Sequence, residues 1–266
     1  MTPSETRTDD PRVDDPRVDD HWAIVTGAGS GMGRAFALTM LNRGWGVLAL
    51  DKSEAALDSL ADEHTQARRE SDPAGLIATS VDVADRDAVS AAIDSSGVGP
   101  YMSAAITAAG IYPPTNLSTF TADQFDLIMK VNVLGTLNVA AEAISRMRSS
   151  GRPGAIVTIS SADAFTASVE QLIYSASKAA VVSLTRVLAA SVAADDIIVN
   201  GIAPGWVNTP GNAATGRMIG AEAHIPLGRV AEPEELAEWV WILASRTSGS
   251  FLTGETIKVT GGELMS

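Results

Sequence analysis

A short β-branched run, Ala23-Ile24-Val25-Thr26, passes directly into Gly27-Ala28-Gly29-Ser30-Gly31-Met32-Gly33-Arg34 and then into a helical pattern. Few architectures accommodate that order. A strand must end, turn sharply on a glycine, and feed a helix whose first turn packs on the strand just left. Gly27 serves the sharp turn, Gly31 the close approach of a pyrophosphate, and Gly33 the contact between helix and strand. The N–H groups at the helix start, with their partial positive charge, face the phosphates. No Gly-Lys-Ser/Thr follows, so this is not the phosphate loop of nucleotide hydrolases.

The same strand-then-helix order repeats down the chain. Apolar runs predict strands at 22–26, 46–50, 76–81, 103–107, 155–160, 197–202 and 256–259. Helical stretches fall between them at 34–42, 53–69, 85–94, 122–148, 173–191 and 233–244. Runs such as AIVTIS and IIVNGI are apolar without clean alternation, as parallel strands buried on both faces require. The expected fold is therefore α/β: one Rossmann-like, doubly wound, seven-stranded parallel sheet with helices on both faces. No Pro/Gly/Ser linker interrupts residues 21–266, which read as one domain, and ligands belong at the carboxyl ends of its strands.

The second predicted strand ends at Asp51, eighteen residues beyond Gly33. A carboxylate there accepts both hydroxyls of an adenosine ribose and repels a 2′-phosphate, which favours NAD over NADP. Lys52 beside it and Arg34 at the helix start leave some NADP use open.

Further on, Tyr174 and Lys178 stand four apart in a helical pattern, so both project from one face. Ser161 closes the fifth predicted strand at the ligand edge. An ordinary Tyr has a pKa of about 10 and is a poor acid–base group near neutrality. An ammonium ~4 Å away in an effective dielectric of ~20 contributes about 4 kcal/mol, enough to bring that value down. The phenol can then exchange a proton with an alcohol or carbonyl oxygen, with the Ser161 hydroxyl holding the same oxygen.

The chain has no Cys, which excludes thiolate nucleophiles and Cys-ligated metal or cluster sites, and no metal site is expected. Its 19 Lys+Arg against 32 Asp+Glu give a net charge of −13, which argues against nucleic acid as a partner. Residues 1–20 hold seven acidic residues and three Arg, including a tandem DDPRV repeat, and read as a solvated, disordered arm. They carry neither a basic n-region nor an apolar h-region. The uncharged stretches 95–122 and 197–216 are broken by Pro100, Pro113 and Pro114 and by Pro204 and Pro210, and read poorly as membrane helices. A cytoplasmic protein without a membrane partner is the expectation.

Taken together, these motifs resemble those of the short-chain dehydrogenase/reductase family over nearly all of residues 20–266. The resemblance rests on TGAGSGMG (26–33), Asp82-Val83, Ala109-Gly110, Asn132 in KVNVLG, Ser161, Tyr174-Ser-Ala-Ser-Lys178, IIVNGIAPGWVNTP (197–210) and the C-terminal FLTGETIKVTGG. It implies Tyr174 as general acid/base, Lys178 lowering its pKa and binding the nicotinamide ribose, Ser161 orienting the substrate oxygen, and Asn132 holding a relay water. The cofactor would contact Gly27, Ser30, Gly31, Met32 and Gly33 with Asp51 at the ribose, and Asp82 and Val83 at the adenine. Ala109 and Gly110 would border it, and Pro204, Gly205, Val207 and Thr209 would hold the nicotinamide. Assembly would be a homotetramer on the helices at 122–148 and 173–191. Two departures stand out: Thr107-Ala108-Ala109-Gly110 replaces the family's Asn-Asn-Ala-Gly, and Thr260 stands where Asp before Gly-Gly is common.

By the same resemblance, the substrate pocket draws on residues 162–173 and a lid at 206–227. These supply Phe165, Leu172, Trp206, Met218 and Ile219, with Asp163, Glu170, Arg217, Glu222 and His224 as the ionisable groups. Asp163, Phe165 and Trp206 are the candidate lining residues of a largely apolar pocket, suited to an uncharged alicyclic or aromatic secondary alcohol or ketone. His224 reads as a surface loop residue, and Trp239 and Trp241 as packing or interface residues. The alternatives are an NADPH-dependent 3-oxoacyl-carrier-protein reductase and a non-catalytic dinucleotide-binding sensor.

Overall fold

The computed structural model describes residues 21–67, 75–214, 216, 218–246 and 251–265. The acidic arm, the last two residues of the helix expected at 53–69, and Arg217 lie outside the described residues.

Seven strands form one parallel sheet: β1 (Trp22–Thr26), β2 (Gly46–Asp51), β3 (Leu76–Ser80), β4 (Met102–Thr107), β5 (Gly154–Ile159), β6 (Ile197–Pro204) and β7 (Thr256–Val259). Their order is β3-β2-β1-β4-β5-β6-β7, so the winding reverses between β1 and β4. That reversal opens a crevice above the carboxyl ends of these two strands, where this class of sheet takes its ligands.

The helices are α1 (Gly31–Asn42), α2 (Glu54–Ala67), α3 (Arg86–Ser96), α4 (Ala122–Met129), α5 (Gly135–Ser150), α6 (Leu172–Val192), α7 (Pro210–Ala214) and α8 (Pro233–Ser245). Two buried clusters explain why the strands are apolar on both faces. Ala23, Val25, Val47 and Ala49 point towards α1, α2 and α8, where Phe36, Leu57 and Leu236 are buried. Ile24, Leu48 and Leu50 point the other way, towards Ile93 of α3, Val139 of α5 and Ala189 of α6.

The helix expected over 122–148 is two helices with a five-residue π turn, Lys130–Leu134, between them. A turn of this kind widens the helix locally and re-aims one side chain, here that of fully buried Asn132. The segments Ala122–Ser150 and Leu172–Asp195 are long and apolar enough to cross a membrane. Here they carry the buried residues Val139, Met147, Ala189 and Val192 of the core. Their outward faces leave Phe125, Leu127, Leu134 and Val187 exposed.

Candidate active site

At the end of β1 the chain turns on Gly27, whose φ is +66°. A Cβ on Gly33 would lie 2.1 Å from the Gly27 carbonyl oxygen, so only glycine lets α1 start this close to the turn. Ser30, the N-cap of α1, makes no side-chain capping bond, which leaves the N–H groups of the first turn to a ligand. The strand end itself is tied by Thr26, whose Oγ1 accepts from the Ala109 N–H at 3.1 Å.

A groove of about 450 Å³ runs over this loop. Gly27, Ser30, Gly31, Met32, Gly33, Asp51, Asp82, Val83, Ala109, Gly110 and Thr209 all border it. Asp51 is held in place by two backbone groups: Oδ2 accepts from the Gly29 N–H and Oδ1 from the Ser53 N–H, both at 2.9 Å. Lys52 donates to Asp82 at 2.9 Å. That contact, followed by the Ala84 N–H, holds the Asp82 carboxyl below the usual range. Val83 is pinned by Asn138, which donates to its carbonyl at 2.9 Å. The glycine cradle, the uncapped helix start and the fixed carboxylate at the far end fit an adenine dinucleotide.

A second cavity of about 340 Å³ adjoins the groove and shares Met32, Tyr112 and Thr209 with it. Ser161 and Tyr174 line it, together with Pro204, Gly205 and Val207. The Ser161 Oγ accepts from the Asp163 N–H at 3.1 Å, which fixes the hydroxyl at the start of a short 3-10 turn. The Tyr174 ring stands edge-on to Tyr112 at 5.8 Å, and Lys178 Nζ lies 5.7 Å from the Tyr174 ring centre.

Lys178 and Asn132 are buried behind these walls. Lys178 Nζ donates to the Ile159 carbonyl at 2.8 Å. Burial pulls its pKa down from 10.5 to about 8. Asn132 donates from Nδ2 to the Ile111 carbonyl and to Ser177 Oγ, and its Oδ1 accepts from the Ile111 N–H at 2.8 Å. Both Nδ2 hydrogens are thus committed, so the Asn132 side chain braces the turn after β4 against α6. A Cβ on Gly110 would sit 3.4 Å from both Asn132 Oδ1 and Lys178 Nζ, so the three residues converge beneath the groove.

The buried lysine makes stability depend on pH in a definite direction. Between about pH 8 and 10.5 the unfolded chain holds a proton on this residue that the folded chain has released. Stability therefore rises across that window, by on the order of 3 kcal/mol. The difference in unfolding free energy between wild type and Lys178→Met, read from urea titrations at several pH values, should grow by this amount. A difference independent of pH would contradict the buried, easily discharged ammonium.

The cavity lining corrects the expectation of an apolar pocket. Trp206 and Asp163 do line it, but so do Ser160, Thr166, Ser168, Asn212 and Glu263. Phe165 does not: it is 40% exposed, beneath the Lys258 ammonium at 5.2 Å from the ring centre. The 3-10 turn Ala162–Ala164 explains this, because it sends Asp163 inward and carries Phe165 past the rim. Ile219 is also exposed, and Leu172 partly so. Glu263 and Tyr112 carried no motif of their own, although Glu263 follows the Gly261-Gly262 turn at the ligand edge of β7.

The two departures from the family pattern have local consequences. Thr260 Oγ1 accepts from the Leu264 N–H at 3.1 Å and so caps the C-terminal turn. Thr107 Oγ1 is buried without a partner among the described residues, and the neighbouring strand end is held through Thr26 instead.

Comparison with known proteins agrees with this geometry. A family model described as Enoyl-(Acyl carrier protein) reductase matches residues 27–263. The chain is 34% identical over 243 residues to a 3-oxoacyl-(acyl-carrier-protein) reductase of Thermotoga maritima, covering 90% of this chain and 96% of that protein. It is also 34% identical over 244 residues to a cis-4-hydroxycyclohexanecarboxylate dehydrogenase of Sinomonas cyclohexanicum, covering 90% and 95%. The crystal structure of a short-chain type dehydrogenase/reductase from Mycobacterium marinum superposes with a TM-score of 0.86 at 30% identity, covering 92% of this chain and 96% of that one. With its glycine cradle, its Ser–Tyr–Lys constellation and this extent of similarity, the chain belongs to the short-chain dehydrogenase/reductase family.

Proposed function

We propose that this protein is an NAD-dependent oxidoreductase that interconverts a secondary alcohol and its ketone. The observation carrying this reading is the junction of two cavities at Met32, Tyr112 and Thr209, one over the glycine cradle and one against Ser161 and Tyr174. A nicotinamide cofactor bound there would supply the hydride chemistry, with Met32, Tyr112 and Thr209 among the residues around it. Tyr174 Oη takes the hydroxyl proton during oxidation and returns it during reduction. The Lys178 ammonium, when charged, favours the phenolate form of Tyr174 and can donate to the nicotinamide ribose. Ser161 Oγ, fixed by the Asp163 N–H, donates to the substrate oxygen. Asn132 acts as a positioning residue for the turn after β4.

The preference for NAD is supported by what surrounds the ribose end. Asp51 offers a fixed negative charge there, and the nearby cations are already engaged. Arg34 donates to Glu63 at 2.9 Å and to the Ser59 carbonyl, and Lys52 pairs with Asp82. Asp51→Ala should lower the ratio of kcat/KM with NAD to that with NADP by about tenfold or more, the worth of the charged hydrogen bonds lost. An unaltered ratio would mean that Asp51 is not the selector.

A second reading, an NADPH-dependent reductase of carrier-bound 3-oxoacyl groups, is favoured by the similarity to the Thermotoga maritima enzyme. Asp51 and the net charge of −13 disfavour it, since an acidic carrier requires a basic docking face. A non-catalytic sensor would not need Ser161, Tyr174 and Lys178 together. Assembly as a homotetramer through α4, α5 and α6 is supported by exposed Phe125 and Leu127 on α4, Leu134 in the π turn before α5, and Val187 on α6.

A further inference from the structure

The cavity in front of Ser161 and Tyr174 has two carboxylates in its walls, Asp163 from the turn after β5 and Glu263 from the turn after β7. Both are partly buried. Glu263 lies against the floor of the cavity: a Cβ on Gly205 would be 3.2 Å from its Oε2. Asp163 is fixed at both ends, its N–H donating to Ser161 Oγ and its Oδ1 accepting from Ser168 Oγ. It is therefore tied to the serine that meets the substrate oxygen.

No Lys or Arg forms an ion pair with either carboxylate among the described residues. Burial, and then the charge of Asp163, push the Glu263 carboxyl above its ordinary range, while His224 acts in the opposite sense. Two like charges thus face one partly dehydrated space, and among the described residues it is His224 whose charge opposes them at Glu263. A carboxylate-bearing substrate would add a third negative charge. A neutral polyol could donate hydrogen bonds to both groups but would leave the charges uncompensated. An ammonium does both at once, donating hydrogen bonds and cancelling charge.

We infer that the substrate is cationic, a secondary alcohol or ketone whose ammonium group lies between Asp163 and Glu263 while its carbinol oxygen meets Ser161 and Tyr174. This rests on the oxidoreductase function proposed above. A cavity of about 340 Å³ accommodates a small amino alcohol of this kind.

The test is a set of four cyclohexanols that differ only in the 2-substituent: ammonium, hydroxyl, methyl or carboxylate. Their kcat/KM values are measured at neutral pH with NAD and NADP. Wild type should prefer the ammonium compound to the methyl compound and act least on the carboxylate. Glu263→Gln and Asp163→Asn should each lower the ammonium-to-methyl ratio by about 30-fold or more, as expected when one partner of a desolvated charged contact is removed. Each should also raise the carboxylate-to-methyl ratio. Oxidation of the methyl compound with no preference for ammonium, or a preference for the diol, would overturn the inference and leave the oxidoreductase reading standing. Ratios unmoved in both variants would overturn it as well. Oxidation of none of the four with either cofactor would overturn both the inference and the function beneath it.

Discussion

Tyr174→Phe should lower turnover by about a thousandfold, within the range that a positioned acid–base group contributes, and leave NAD(H) affinity within a few-fold of wild type. The substitution removes one oxygen and keeps the ring, so the edge-on contact with Tyr112 at 5.8 Å survives. Lys178 also keeps its bond to the Ile159 carbonyl, and the glycine cradle is untouched. Trp206, which lines the cavity, offers a fluorescence signal for binding that does not depend on turnover. Loss of both activity and affinity would indicate a structural role for the hydroxyl. Undiminished turnover would remove Tyr174 from the chemistry.

The second large effect belongs to Gly33. Any side chain there meets the Gly27 carbonyl oxygen at 2.1 Å and the Thr26 carbonyl oxygen at 3.1 Å, both of them backbone atoms with little freedom to yield. Gly33→Ala must therefore push α1 away from β1 or open the loop between them. Overpacking of this kind costs about 1–3 kcal/mol, so the melting temperature should fall by several degrees. Displacing the start of α1 also moves the N–H groups that meet the phosphates, and NAD(H) affinity should weaken by about tenfold or more. Calorimetry and a fluorescence titration of the same variant check the two effects together. Wild-type affinity in a stable variant would mean that the first turn of α1 does not grip the cofactor.

The reach of the sequence differs between the parts of this site, for physical reasons. The cradle was legible because its glycines are demanded by local geometry, within ten residues of the strand they follow. Tyr174 and Lys178 were legible because helical spacing puts them on one face and the glycine loop and strand-end Ser161 give that face its chemical context. Asn132 could be named from the resemblance, but the π turn that buries it could not be foreseen. Its hydrogen-bond pattern leaves no mark on an apolar period that fits a continuous helix equally well. The substrate cavity was least legible, because its walls come from segments distant in the chain. Phe165 stands in the segment that the resemblance assigns to the pocket, and a single 3-10 turn directs it outward. Glu263 carried no motif of its own, yet the Gly261-Gly262 turn brings it into the same cavity as Asp163. Its charge mattered to the reading only once its partner in that cavity was known.

Hydride transfer from a carbinol carbon is the step that the cradle, Ser161, Tyr174 and Lys178 serve together. It is tested most directly by incubating the protein with NAD and a secondary alcohol deuterated at that carbon, such as 2-aminocyclohexanol, and weighing the reduced nucleotide by mass spectrometry. Wild type should yield reduced nucleotide carrying one deuterium, and Tyr174→Phe about a thousandfold less. Reduced nucleotide without the label, or labelled product formed equally fast by the variant, would contradict it.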